Sequence, residues 1–184
     1  MPGPVYLSGE RVELRVTERE DVEFLQRARS DPDLRTPLTF TEPRTREQVE
    51  AFYENTISAD NGDANFLICP AGGDDPVGEA NLFRVEDDHA EVAYWLLPEA
   101  RGEGYATEAA SLLVEYAFET RGLRRAYARV VDFNEGSRTL LDRLGFSEEG
   151  RLRDHVFLDG AYRDVLFYGL LREEWDERDE WTEA

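Results

Sequence analysis

The sequence predicts a mixed α/β (α+β) fold, a largely antiparallel sheet of about seven strands flanked by helices. Three observations predict it. Short strand-like stretches recur along the chain, and helical spacing interrupts them at four places. Tight polar turns join consecutive strands around residues 86–89 and 159–160, which makes those pairs antiparallel. The order is a strand, two helices, three strands, a helix, a strand, a helix and two strands, neither doubly wound nor all-β.

Residues 12–16, Val-Glu-Leu-Arg-Val, alternate apolar and charged side chains as a half-buried strand does. Thr17-Glu-Arg-Glu follows as a capping-box pattern, and Val22, Leu25 and Ala28 stand at helical spacing until Asp31-Pro32 ends the helix. Thr45-Arg-Glu-Gln opens a second helix in the same way, with Val49, Phe52, Tyr53 and Ile57 on one face. Asn61-Gly62 marks a turn, residues 66–69 a short strand, and Gly72-Gly73-Asp74-Asp75 a loop. Residues 77–85 and 90–97 form a hairpin. Arg101-Gly102-Glu103-Gly104 then leads straight into a helix over residues 105–120, apolar at Ala106, Ala109, Leu113 and Ala117 and acidic opposite, stopped by Gly122. A strand over 126–131, a helix over 134–144 closed by Gly145, and two strands about Asp159-Gly160 complete the order. Residues 1–172 read as one domain and 173–184 as an acidic tail, in which Trp175 and Trp181 are docking groups.

Of 184 residues, 41 are Asp or Glu and 21 are Lys or Arg, a formal charge of −20. Every one of the basic residues is arginine. The missing lysine excludes P-loop nucleotidases, protein kinases, and pyridoxal or Schiff-base chemistry. Cys69 stands alone, so neither an internal disulfide nor a CxxC metal site is possible. No basic start followed by an apolar run marks a signal peptide, and no apolar run reaches the roughly 18 residues of a membrane span. The expectation is a soluble, cytoplasmic chain. Its acidity makes nucleic acid and anionic membrane poor partners. The charge has two readings, attraction of basic substrates or the surface of an extreme halophile, and its even spread favours the second.

The informative junction lies at residues 92–109. A strand runs into a loop with two glycines and directly into a long helix, whose first-turn N–H groups have no internal partners. Such a junction binds anions. Glycine lets the backbone close around a diphosphate, and Arg101 adds a charged contact. A dinucleotide fold fits less well, because Tyr105, Ala106 and Thr107 follow Gly104 where a third glycine is needed.

Arg101-x-x-Gly104-x-Ala106 resembles the pyrophosphate loop of the GNAT N-acetyltransferase superfamily. The resemblance runs over residues 7–171. With Tyr94-Trp95-Leu96, Asn134-x-x-Ser137, Leu144-Gly145-Phe146, Glu149-Gly150, Asp159-Gly160 and Asp164, it is similar to the RimJ/RimL-type subgroup. The resemblance implies a sheet splayed between its fourth and fifth strands, residues 90–97 and 126–131, with acetyl-CoA in the V and no metal. Backbone groups at Leu96 and Leu97 would pair with the pantetheine arm. Arg101 and the amides of Gly102, Glu103, Gly104, Tyr105, Ala106 and Thr107 would hold the diphosphate, and Asn134 would meet the far side of the arm. Homodimers are frequent in this subgroup, which adds a second copy to the expected partners.

Transfer of an acetyl group to an amine needs near-attack positioning, a proton acceptor, and a donor for the leaving thiolate. By resemblance Ser137 stands at the sulfur, although Asn134 as N-cap and Ser137 at N3 also satisfy a helix start. Some relatives that acetylate ribosomal-protein N-termini carry a glutamate before the Asp-Gly turn; here that position is Val156. Glu91 is the leading candidate for the base, with Glu79 and His155 behind it. The expected activity is acetylation of a primary amine, foremost a protein N-terminus. A polyamine, amino sugar or antibiotic amine is the alternative acceptor, and a non-catalytic acyl-CoA-binding module the alternative class.

Overall fold

The computed structural model describes residues 2–175. Its strands are Val5–Ser8 (β1), Val12–Val16 (β2), Ala64–Pro70 (β3), Gly78–Glu86 (β4), His89–Leu96 (β5), Arg125–Val131 (β6), Ser147–Leu158 (β7) and Ala161–Leu171 (β8). Its α-helices are Val22–Ser30 (α1), Pro32–Arg35 (α2), Arg46–Phe52 (α3), Tyr105–Glu115 (α4) and Glu135–Arg143 (α5). The eight strands make one sheet in the order β1-β2-β3-β4-β5-β6-β8-β7.

Strand alternation divides the core between the two faces of this sheet. Phe66, Ile68, Ala80, Leu82, Val92 and Leu96 share the main apolar cluster with Ala109, Leu113 and Ala117, on α4 and the π-helical turn, Tyr116–Thr120, that extends it. Leu67 and Cys69, one residue out of phase on β3, pack instead with Val22 and Leu25 of α1 and Val49 of α3. Trp175 is buried against Phe118, ring centroids 6.3 Å apart, and joins the main cluster. Trp181 lies outside the described residues.

Three boundaries differ from the sequence reading. The eighth strand is β1, a four-residue edge strand against β2 that is too short to show a period. The first capping box falls one residue later than Thr17. The Thr17 N–H is still in the sheet, donating to the Asn65 carbonyl at 3.2 Å, so Glu18 takes the cap and its N–H donates to Asp21 at 2.8 Å. Asp31-Pro32 ends α1 as expected but also starts α2, because the Asp31 side chain accepts from the Asp33 N–H at 2.8 Å and proline suits the first helical position.

The decisive feature is a fork. All neighbouring strands pair antiparallel except β5 and β6, which run parallel and touch only at His89↔Arg125, Ala90↔Ala126 and Glu91↔Tyr127. From Val92 and Ala128 onward the two strands diverge, leaving one backbone edge of each unpaired with the other.

Candidate active site

A cavity of ≈ 660 Å³ opens into this fork. Tyr94, Trp95 and Leu96 line one wall, the start of α4 forms its floor, and Asn134 with Gly136 and Ser137 of α5 completes the lining. Leu34, within the short α2, and Pro37 and Leu38 just after it also line the cavity.

The floor is built for close approach. Gly104 is the N-cap of α4 with φ +81°, a left-handed conformation that glycine adopts without strain. A Cβ at Gly104 would also lie 2.8 Å from the Arg11 guanidinium, which would have to shift. Gly102, Tyr105, Ala106 and Thr107 line the same floor, beneath first-turn N–H groups that no helical carbonyl accepts from. Arg101 reaches the cavity and donates to the Asp33 carbonyl at 3.3 Å, tying the loop to α2. Diphosphate chemistry fits this floor, and the unpaired edge of β5 from Val92 to Leu96 fits an extended amide-bearing arm.

The Asn134 side chain accepts from the Ser137 N–H at 3.2 Å, so Asn134 does cap α5. The Ser137 carbonyl accepts from the Tyr94 hydroxyl at 3.4 Å. Burial pushes the Tyr94 phenol up, out of reach of neutral-pH titration. These bonds use the Ser137 backbone and hold its side chain at the cavity wall.

Five candidates, Glu91, Leu97, Glu103, His155 and Glu79, stand apart from the lining. Glu91, at the apex of the fork, is buried, and its carboxylate accepts from Arg84 at 2.5 Å and Arg129 at 2.8 Å. With both oxygens engaged by guanidinium groups, it is placed as a structural ion pair across β4, β5 and β6. The Leu97 N–H donates to Val77 and its carbonyl accepts from Ala100, so its backbone is spent within the fold. The Glu103 carbonyl accepts from Arg11 at 3.2 Å on the far side of the loop. His155 is exposed on β7.

Glu79 is outside the lining too, but it is bonded to a residue that belongs to it. Its carboxylate accepts from the Trp95 indole N–H at 2.6 Å, and Trp95 lines the cavity. Burial pushes the Glu79 carboxyl up to about 7, although the Trp95 bond, the Arg29 charge and the Asn81 amide all pull it down. Beside it the Asn81 side-chain oxygen is buried without a partner. Phe133 and Arg143 also line the cavity and were missed. Neither lies in a motif, and only the position of Phe133, in the turn after a strand, signalled it. Among the described residues, no group of three His, Cys, Asp or Glu side chains is placed to hold a metal.

The family model for the acetyltransferase (GNAT) domain matches residues 11–147, most of the chain. The chain belongs to the GNAT acetyltransferase family. The GNAT chain is 40% identical to YdaF of Bacillus subtilis (strain 168), whose name proposes a ribosomal N-acetyltransferase, over 47% of this chain and 48% of that protein. It is 32% identical to the uncharacterized N-acetyltransferase p20 of Bacillus licheniformis over 90% of this chain and 96% of p20. Spermidine N-acetyltransferase from Vibrio cholerae, in complex with CoA and spermine, superposes with a TM-score of 0.83 at 26% identity, covering 91% of this chain and 99% of that one. This GNAT chain is an acetyl-CoA-dependent N-acetyltransferase, and its fork is the splayed sheet expected of the family.

Proposed function

We propose that this GNAT enzyme is of the RimJ/RimL type and acetylates the α-amine of a protein N-terminus. The apolar acceptor wall of Leu34, Pro37, Leu38 and Trp95 carries this reading. A single amine next to an apolar residue suits such a wall, whereas a polyamine brings several ammonium groups that need carboxylates. Acetyl-CoA supplies the activated acetyl group. The loop of Arg101 to Thr107 and the open edge of β5 hold it, and Asn134 meets its arm. Glu79, poised near neutral pH, takes the proton that the amine loses as nitrogen bonds to the acetyl carbon and the carbon–sulfur bond breaks. The Ser137 hydroxyl donates a hydrogen bond to the departing sulfur.

Two observations favour a second reading, a polyamine acceptor. The likeness to the Vibrio spermidine enzyme covers 91% of the chain, and a charge of −20 attracts polycations at low salt. A panel of peptides, spermidine and amino sugars, assayed in molar salt with mass detection of acetylated products, separates the readings. A peptide with an apolar first residue is expected to give the highest kcat/KM. Spermidine ahead of every peptide would replace the N-terminal reading. We further infer a cytoplasmic enzyme working in concentrated salt, from the acidic, lysine-free composition.

A further inference from the structure

The turn between β1 and β2 sits behind the floor of the cavity, and nothing in the loop motif accounts for its contacts. Glu108, in the first turn of α4, points its carboxylate away from the cavity and accepts from the backbone N–H groups of Glu10 and Arg11, the latter at 3.0 Å. A Cβ at Gly9 would lie 2.3 Å from the Glu108 oxygen, so the turn is pressed against the carboxylate. Arg11, fixed by its own backbone in this way, sends its guanidinium to the Glu103 carbonyl at 3.2 Å. That guanidinium also occupies the space a Gly104 side chain would need. Among the described residues no carboxylate pairs with Arg11, in a chain where acids outnumber bases two to one.

We propose that Arg11 is a positioning residue for cofactor binding. Set by Glu108, its guanidinium holds the Glu103 peptide plane so that the amides that follow face the diphosphate, and its positive charge favours the anion. Glu108 has a double part. It anchors Arg11, and its engagement by two backbone N–H groups keeps a carboxylate from facing the bound phosphates. The inference rests on the reading of residues 101–107 as the diphosphate loop.

The test compares acetyl-CoA with S-acetylpantetheine, which carries the same thioester and no phosphate. Arg11→Gln is expected to raise KM for acetyl-CoA about tenfold, the scale of one hydrogen bond to a charged group, and to leave kcat at saturation unchanged. KM for S-acetylpantetheine should not move, and Arg11→Lys should recover most of the acetyl-CoA loss. Glu108→Gln should act in the same direction as Arg11→Gln. Equal losses for both thioesters, or no loss for either, would overturn the proposal. Gly104→Asp, checked for folding by circular dichroism, separates the two levels. If acetyl-CoA binding survives it, the loop reading fails and Arg11 with it. If it destroys binding while Arg11→Gln has no effect, only the role of Arg11 fails.

Discussion

Glu79 shows how one environment turns an ordinary carboxylic acid into a group able to accept a proton near neutrality. Burial next to Trp95 disfavours its charged form more strongly than its hydrogen bonds and Arg29 favour it. As the proposed proton acceptor it must be ionised to work, so kcat/KM should rise with pH and level off above about 7. Glu79→Gln should cost about a hundredfold in kcat/KM and remove that limb of the profile. An unchanged limb would assign the base elsewhere. The same group links to stability. Its value in the folded chain lies above that of an unfolded glutamate, near 4.3. Its contribution is therefore complete below about pH 4 and is lost as pH rises through 7. Tm of the Glu79→Gln variant should consequently depend less on pH between 5 and 8.

At the level of elements, the fork depends on three residue pairs and an ion triad. Glu91 is the last β5 residue paired to β6, and it also engages Arg84, which stands at φ +53° in the irregular stretch of β4. Removing its charge would leave two guanidinium groups facing each other without compensation. Glu91→Gln should destabilise the fold by about 3 kcal/mol, read as a fall in Tm, while the pH limb assigned to Glu79 persists. Loss of the limb with Tm unchanged would restore Glu91 as the base. Which elements the sequence revealed follows from what makes each of them. The α4 junction was legible because its glycines and first-turn periodicity are local demands. So was the Asn134 cap. The environments of Glu91 and Glu79 were not. Both are acids on strands, and only pairing across β4, β5 and β6 shows that two arginines hold the first while an indole and burial tune the second. Arg11 was hidden for the same reason, since 92 residues separate it from the carbonyl it holds.

For the whole molecule, a formal charge of −20 sets the conditions in which the rest operates. Ion pairs such as Arg15–Glu13 and Arg125–Glu149 engage only part of the acidic excess, so the remainder repels itself. The Debye length falls from about 30 Å at 0.01 M to about 3 Å at 1 M ionic strength, which removes most of this repulsion. Tm should therefore rise steadily with potassium chloride into the molar range, and scanning calorimetry at several salt concentrations measures it. A Tm indifferent to salt would mean that the acidic surface carries no such penalty.

The fork has one more consequence. Ordinary sheets gain their cohesion once, during folding, but here two antiparallel half-sheets meet along a seam that stops at Glu91 and Tyr127. A cosubstrate lying in that opening substitutes for the missing length of seam. On the proposed placement of acetyl-CoA, the catalytic cycle would also be a cycle of mechanical stiffness, the two half-sheets joined over a longer length while the cosubstrate is bound and over three residue pairs once the product leaves.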